Sequence, residues 1–187
     1  MTPDFIHNEI ISPAAVDECL KIFEKNSHRH EAGTTAAGIN DKYKKSTELC
    51  LKLDELENIP TYLNELNEIL ENYFEKYQIL DAHEGIGYVD GINIQKYEPG
   101  EGFFYPHCER MDNKRSNRVL VFTTYLTDTK NAGTNFIYLN WNSECKKGST
   151  LIFPTDFPFT HKGIISYTEP KYIVTGWLGF RPKENNL

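Results

Sequence analysis

The second half of the chain is a succession of short segments rich in Val, Ile, Thr, Phe and Tyr, separated by turn residues. Turn signals such as Lys147-Gly148 and Glu169-Pro170 stand between these segments. Many short strands in regular succession are typical of a sandwich or a jelly-roll barrel, so we predict a mainly β core. The predicted strands are 86–97, 103–108, 118–127, 134–139, 149–153, 163–168 and 171–180.

The N-terminal part carries two helical patterns and one long polar stretch. Ser12 suits an N-cap and Pro13 suits the first helical position, which predicts a helix over 12–25. Pro60 opens a second predicted helix, whose apolar residues form a single stripe typical of a helix that covers a sheet. The stretch 26–45 is polar and contains glycines, and is therefore predicted to be a loop.

Composition limits the class of protein. A chain of 187 residues with 39% hydrophobic and 25% charged residues is typical of a soluble, single-domain protein. We expect a helical flank and loop over 1–84 and the β core over 85–187, an α+β architecture with the helices packed against one sheet. The net charge of −7 argues against nucleic-acid binding. No apolar run matches a membrane span and no signal pattern is present, so we expect a cytoplasmic protein without membrane contacts.

The strongest candidates for metal ligands are His107, Glu109 and His161. His107 and Glu109 stand two residues apart in a run predicted to be a strand, so their side chains leave from the same face. A distant His161 would complete a set of two imidazoles and one carboxylate, the ligand set of non-haem Fe(II) oxygenases. A single His-x-Glu is weak evidence, and His161 after Pro158 and Phe159 is also compatible with an ordinary turn histidine.

The four cysteines point to no metal or redox site of their own. They lie far apart in the sequence and form no CxxC pair, which excludes zinc-ribbon and thioredoxin-like sites. Reduced thiols are the expected state in a cytosolic protein.

An ordered series of short motifs surrounds the three candidate ligands. A Pro-Gly turn precedes His107, a hairpin lies between the two histidines, and a basic residue followed by Tyr comes about ten residues after His161. In chain order the motifs are Tyr97, Pro99-Gly100, His107, Tyr125-Leu126, Gly133-x-x-Phe136, KKGSTLIFP, His161, Lys171-Tyr172 and Trp177.

In this order and spacing the C-terminal half resembles the 2-oxoglutarate/Fe(II)-dependent dioxygenases, and among them the prolyl 4-hydroxylase-like branch. The resemblance implies a double-stranded β-helix core, that is, a cupin-like jelly roll. It also implies an enzyme that uses Fe(II) with 2-oxoglutarate as cosubstrate and ascorbate in support. His107, Glu109 and His161 would hold the iron.

The resemblance assigns four further residues to the cosubstrate. Lys171 would pair with the 5-carboxylate of 2-oxoglutarate, and Tyr125 would donate a hydrogen bond to the same carboxylate. Tyr97 and Thr175 are weaker candidates for the wall of the pocket. Each residue has an ordinary alternative, because a lysine at the head of a strand is often a solvated edge charge and tyrosines often pack in a core.

One position departs from the family pattern. The family usually has Asp where this chain has Glu109. Because Glu is longer by one methylene, its carboxylate must fold back, or the strand must lie further from the metal. The expected consequence is retained activity, an altered metal preference or an inactive relative of the family.

The reaction implied by the resemblance is hydroxylation of a C–H bond, with succinate and CO2 as co-products. A prolyl residue in a peptide or protein is the first expectation for the substrate. The alternatives are a free amino acid or other small molecule, and a non-catalytic cupin-like protein that binds metal or ligand. The basic segment 110–118 is either a lid over the substrate or a solvated loop, and the stretch 26–45 is a second lid candidate. The oligomeric state stays open.

Overall fold

The structure is a computed structural model that describes residues 1–35, 38–81 and 85–181. Two α-helices, α1 Pro13–Lys25 and α2 Pro60–Lys76, accompany twelve strands within these residues. The strands are β1 His7–Ile10, β2 Glu31–Ala32, β3 Lys44–Lys45, β4 Thr47–Leu51, β5 Gly85–Tyr97, β6 Gly102–Phe103, β7 Arg118–Tyr125, β8 Gly133–Phe136, β9 Trp141–Asn142, β10 Ser149–Pro154, β11 His161–Ile164 and β12 Lys171–Arg181. Short 3-10 helices are Ser27–Arg29, Leu53–Asn58, Gln78–Asp81, Asn113–Arg115 and Phe157–Phe159.

The strands form one large sheet and a smaller one that faces it. The large sheet has seven strands in the order β1-β10-β7-β12-β5-β4-β2, and the smaller sheet has three in the order β11-β8-β9. Strands β3 and β6 pair by themselves. Every pairing between these strands is antiparallel. The predicted mainly β, α+β architecture is confirmed.

Both helices pack on one face of the large sheet, as predicted. The α1 helix starts where the sequence indicates, because the Ser12 hydroxyl accepts a hydrogen bond from the backbone N–H of Ala15 at 3.2 Å. Pro60 opens α2, and Tyr62 and Leu66 of that helix are fully buried. They share one apolar core with sheet residues such as Ile94.

The other face of the large sheet looks toward the smaller sheet. Along β12, Val174 belongs to the core beneath the helices, whereas Ile173 and Trp177 belong to the cluster between the sheets. The chain needs glycine at 176, since a Cβ there would lie 2.4 Å from Cζ of Phe122. The alternation of side chains along β12 therefore directs one set of them into the space between the sheets.

The predicted strand over 103–108 is wrong in most of its length. Regular pairing ends at Phe103, and His107 keeps only an isolated bridge to His161. Glu109 instead donates its backbone N–H to the carbonyl of Thr155 at 3.0 Å. Phe104 donates its N–H to the carbonyl of Tyr43 at 2.8 Å, so the segment is held by contacts to several separate parts of the chain and not by one continuous ladder.

Several other strand boundaries differ from the prediction, and the strand predicted over 163–168 already ends at Ile164. His161 begins a strand that was expected to start at residue 163, and the predicted strand 134–139 ends at Phe136. The N-terminal flank was expected to hold only helices and a loop, but it also supplies β1, β2 and β4 to the large sheet. Residues 36 and 37 of the predicted loop lie outside the described residues.

Within the described chain, neither helix has the length and apolar character needed to cross a membrane.

Candidate metal centre

A backbone bridge brings the two histidines together. The N–H of His107 donates to the carbonyl of His161 at 3.0 Å, and the N–H of His161 donates to the carbonyl of His107 at 2.8 Å. The centroids of their imidazole rings are 4.5 Å apart. Residues distant in the sequence thus present two imidazoles side by side in the space between the sheets.

The carboxylate of Glu109 completes the cluster. Its Oε1 lies 3.4 Å from Nε2 of His107 and 3.5 Å from Nε2 of His161. One ligand atom from each of the three residues lies within 4.8 Å of the others. Donors bound at about 2.1 Å from one ion and at right angles to each other are about 3 Å apart, so small side-chain adjustments bring this set around a single cation.

Backbone carbonyls fix the orientation of both imidazoles. Nδ1 of His161 lies 2.9 Å from the carbonyl oxygen of Phe159, and Nδ1 of His107 lies 3.1 Å from that of Tyr105. A carbonyl can only accept a hydrogen bond, so in each ring Nδ1 carries the hydrogen. Both Nε2 atoms therefore direct a lone pair at the carboxylate side of the cluster, the arrangement that metal-binding histidines adopt.

The protonation states of His161 and Glu109 at neutral pH favour the binding of a cation. Burial, with a further contribution from the charge of His107, lowers the pKa of His161 to about 4. Burial alone would raise the pKa of Glu109, but its contacts with His107 and His161 and the indole N–H of Trp177 lower it to about 2. At neutral pH, His161 is neutral and Glu109 is ionised, and these are the forms that bind metals.

A cavity of about 550 Å3 contains the cluster and also reaches Lys171. Lys171 is 5% exposed, and its Nζ donates to the carbonyl of Ile164 at 3.3 Å and lies 4.9 Å from the ring centroid of Tyr97. Burial lowers the pKa of Lys171 to about 8, although the charge of Cys145 opposes this shift. Lys171 is a buried side chain and not a solvated edge charge.

The other three residues predicted for the cosubstrate also line this cavity. The hydroxyl of Tyr125 makes hydrogen bonds with Thr134 and Ser143 at 2.7 Å and 2.6 Å, and the hydroxyl of Tyr97 donates to Gln95. Thr175 donates to the carbonyl of Phe122 at 3.0 Å. These groups are therefore both packed and exposed to the cavity, so the structure brings them together with the His107 cluster.

The comparisons with known proteins agree with this geometry. The family model described as the 2OG-Fe(II) oxygenase superfamily matches residues 92–179, a span that contains the three clustered residues and Lys171. This part of the chain is therefore a domain of the 2OG-Fe(II) oxygenase superfamily. It is accordingly a dioxygenase of the kind that depends on Fe(II) and 2-oxoglutarate. A comparison with curated protein sequences finds no match.

Solved prolyl hydroxylases share the fold of this oxygenase. A viral collagen prolyl hydroxylase from Paramecium Bursaria Chlorella virus-1, solved with 2OG, is 17% identical with a TM-score of 0.70, covering 95% of this chain and 97% of its own. A Pseudomonas putida prolyl-4-hydroxylase is 13% identical with a TM-score of 0.68, covering 95% and 93%. A Trichoplax adhaerens prolyl hydroxylase, bound to a hypoxia inducible factor peptide, is 15% identical with a TM-score of 0.70, covering 94% and 82%. The predicted jelly-roll fold is confirmed.

Sequence reasoning missed the groups around Glu109 in this oxygenase. Trp177 donates its indole N–H to Oε2 of Glu109 at 2.8 Å, and Arg118 lies beside the same oxygen. The register of β12 places Trp177 on the cavity face, but no sequence signal connects Arg118 to its partner Asp90. The two side chains meet only because β5 and β7 both flank β12.

The segment 110–118 is not a free basic surface. Arg110 makes a two-pronged salt bridge with Asp156, with its Nη2 at 2.7 Å from both carboxylate oxygens. Arg115 pairs with Asp112 inside the segment, and Arg118 is only 8% exposed. Carboxylates already neutralise these three guanidinium groups, so the idea of a basic lid for an acidic substrate loses its main support.

Proposed function

We propose that this oxygenase hydroxylates a prolyl residue in a peptide or protein, with 2-oxoglutarate as cosubstrate and succinate and CO2 as co-products. The observation that carries the proposal is the cavity that holds two imidazoles, one carboxylate and a buried lysine for which the described residues provide no ion-pair partner. The choice of proline is supported by the fold, which three prolyl hydroxylases share over nearly the whole chain.

In the proposed site, His107, Glu109 and His161 hold Fe(II). Two neutral imidazoles and one carboxylate form the donor set that suits this ion and leaves coordination positions open. When bound, the iron and 2-oxoglutarate supply the oxidative chemistry, in which oxygen is consumed and a C–H bond becomes hydroxylated. We include ascorbate as a supportive reductant in the proposed reaction.

Lys171 is proposed to bind the far carboxylate of 2-oxoglutarate. A buried ammonium is costly unless an anion pairs with it, and the described residues offer Lys171 no carboxylate. Gly163 leaves room beside it, since a Cβ at that position would lie 3.5 Å from Nζ. Tyr125 is proposed to add a hydroxyl contact, and Tyr97 and Thr175 to form the wall.

The chain also keeps the proposed iron site dry. Phe136 and Phe153 pack beside His161, with ring centroids 5.5 Å and 5.1 Å from its imidazole. Phe103 stacks on His107 at 3.7 Å. These rings exclude water from one side of the cluster, and exclusion of water strengthens the electrostatic contacts within it.

The charges of the cavity favour a peptidyl substrate over a free amino acid. A free amino acid brings an ammonium and a carboxylate, and both need partners once they are removed from water. Within the described residues, Lys171 is the only charged group lining the cavity that lacks an ion-pair partner. The charged lining residues are Lys44, Asp90, Glu109, Arg115, Arg118 and Lys171.

The cavity also carries exposed apolar side chains suited to a peptide. Tyr43, Tyr105 and Met111 line it and are 38%, 54% and 65% exposed. The rings of Tyr43 and Tyr105 contact each other, with centroids 4.9 Å apart. Flat aromatic surfaces of this kind pack well against prolyl rings and other apolar peptide side chains.

Replacing Tyr105 with alanine is expected to raise the KM for a peptide substrate about tenfold, because it removes a large apolar contact of about 1–3 kcal/mol. The affinity for 2-oxoglutarate is expected to stay unchanged, since Lys171 is untouched. Steady-state kinetics with each substrate varied in turn measures both quantities. Tyr138→Ala is the matched control, because this tyrosine is 68% exposed and is not among the residues that line the cavity. Equal KM values for wild type and Tyr105→Ala would show that the peptide binds elsewhere.

A substrate panel tests the proposed function itself. Proline-rich peptides and free proline are incubated with the protein, Fe(II), 2-oxoglutarate and ascorbate, and analysed by mass spectrometry. A gain of the mass of one oxygen atom on a prolyl residue of a peptide supports the proposal. Modification of free proline alone would favour a hydroxylase of a small molecule. If neither a modified substrate nor succinate is formed, a non-catalytic cupin-like binding protein is favoured.

A further inference from the structure

The two carboxylate oxygens of Glu109 have different partners. Oε1 is the oxygen nearest to both imidazoles, at 3.4 Å and 3.5 Å from their Nε2 atoms. Oε2 accepts the indole N–H of Trp177 at 2.8 Å and lies 3.6 Å from Nη1 of Arg118. A charge-assisted hydrogen bond and a cation thus hold the second oxygen.

The groups that hold Oε2 are themselves fixed. The guanidinium of Arg118 lies over the ring of Trp177, with Cζ 3.8 Å from the centroid. Oδ2 of Asp90 accepts a hydrogen bond from Nε of Arg118 at 2.8 Å and forms a salt bridge with its Nη2 at 2.7 Å. Asp90, Arg118 and Trp177 lie on β5, β7 and β12, three adjacent strands of the large sheet. The support for Oε2 is therefore part of the rigid sheet and not of a loop.

The different partners of Oε1 and Oε2 have a chemical consequence for a glutamate that binds a metal. A carboxylate binds a cation through one oxygen or through both. Binding through both would occupy one more position on the metal, so fewer would remain for a chelating 2-oxo acid and for oxygen. A side chain longer than Asp has more freedom to turn its second oxygen inward. The contacts with Trp177 and Arg118 oppose that rotation.

We propose that Trp177 and Arg118 are positioning residues that retain Oε2 of Glu109, so that this longer carboxylate presents only Oε1 to the metal. The inference rests on the proposed function, because it assumes that the cluster binds a metal. It explains how the site accommodates Glu at a position where the family usually has Asp. Asp90 supports the arrangement through Arg118.

The test combines Trp177→Phe with Glu109→Asp. Phe keeps the ring beneath Arg118 but removes the N–H, and Asp shortens the carboxylate so that it no longer spans from the imidazoles to the indole. The metal-free protein and its variants are loaded with Co(II), and 2-oxoglutarate binding is measured by titration calorimetry. The Co(II) absorption spectrum reports the ligand set independently of turnover.

In the Glu109 background, Trp177→Phe is expected to weaken 2-oxoglutarate binding about tenfold and to change the Co(II) spectrum, since outer partners of metal ligands typically contribute about tenfold to a hundredfold. In the Glu109→Asp background, the same change is expected to alter binding by less than about threefold, since the two substitutions are then uncoupled. Equal losses in both backgrounds, or none with Glu109, would overturn the inference.

Two further measurements separate the possible failures. If Glu109→Asp does not bind Co(II), the inference is tested by comparing the Co(II) spectra of wild type and Trp177→Phe. Identical spectra overturn it. Arg118→Gln provides a second variant with the same expected direction. If wild type binds no Co(II), the proposed metal centre fails and the inference fails with it. If His161→Ala abolishes Co(II) binding but Trp177→Phe changes neither the Co(II) spectrum nor 2-oxoglutarate binding, only the inference fails.

Discussion

Replacing His161 with alanine is expected to weaken metal binding by about a hundredfold or more and to abolish turnover, because loss of an outer partner alone already costs about tenfold to a hundredfold. His161 is 9% exposed and its Nε2 points toward Glu109. A water molecule therefore does not take the place of the lost nitrogen unless the neighbouring side chains rearrange. His107→Ala is expected to give the same result. Anaerobic titration of the metal-free protein with Fe(II), followed by a succinate assay, measures both effects.

His28 supplies the matched control for these substitutions. It lies in the exposed 3-10 helix Ser27–Arg29 and is not among the residues that line the cavity. His28→Ala should leave both iron binding and turnover unchanged. Wild-type iron affinity in His161→Ala would remove that histidine from the site, and the three-ligand account would then be wrong.

Replacing Lys171 with methionine is expected to have two opposite effects: weaker cosubstrate binding and a more stable protein. Met has a similar length and no charge, so 2-oxoglutarate loses its ion pair and its affinity is expected to fall by about a hundredfold, in line with about 3 kcal/mol for a buried charge-assisted contact. The free energy of unfolding of the protein without cosubstrate should rise, because a buried ammonium without a carboxylate partner is removed.

The stability gain should depend on pH with a defined sign. The folded-state pKa of Lys171 is lowered from 10.5 to about 8, so the unfolded chain binds more protons between these values and wild type gains stability as pH rises through them. The cost of the buried charge is fully present below pH 8 and amounts to about 3 kcal/mol. Denaturant unfolding at pH 7 and pH 10 should show a large advantage for Lys171→Met at pH 7 and a small one at pH 10.

Lys171→Arg is the control that keeps the charge. It should retain much of the affinity for 2-oxoglutarate and show no comparable gain in stability. An unchanged affinity in Lys171→Met would mean that the lysine does not bind the cosubstrate, whatever its effect on stability.

Local chemistry explains which elements the sequence could predict. Ser12 and Pro13 mark the start of α1, and Pro60 marks the start of α2, because capping and the fixed φ of proline act within one turn of helix. The long strands β5, β7 and β12 were predicted to within two residues because they combine apolar alternation with flanking turn residues.

Tertiary contacts explain what the sequence could not predict. The segment 104–109 has the aromatic composition of a strand, yet its backbone N–H groups donate to separate carbonyls, those of Tyr43, His161 and Thr155. Strand β1 exists because it pairs with β10, and nothing in its four residues indicates that partner. Short pairings of this kind depend on distant parts of the chain and leave no local pattern.

The same distinction between local sequence patterns and tertiary contacts applies to the candidate site. That His107 and Glu109 share a face was predicted from their spacing, although the strand that should have arranged them is mostly absent. The position of His161 beside them came from the order of motifs and not from any local rule. The roles of these residues as iron ligands remain predictions, whereas the contacts of Arg118 and Trp177 with Glu109 are visible only in the structure.

Anaerobic crystallisation with Fe(II) and 2-oxoglutarate, followed by anomalous diffraction at the iron edge, tests the central claim most directly. The account predicts one iron peak per chain, bonded to Nε2 of His107, Nε2 of His161 and Oε1 of Glu109 at about 2.1 Å. It also predicts a carboxylate of 2-oxoglutarate against Nζ of Lys171. Iron bound by other residues, or a cavity that binds neither iron nor cosubstrate, would contradict it.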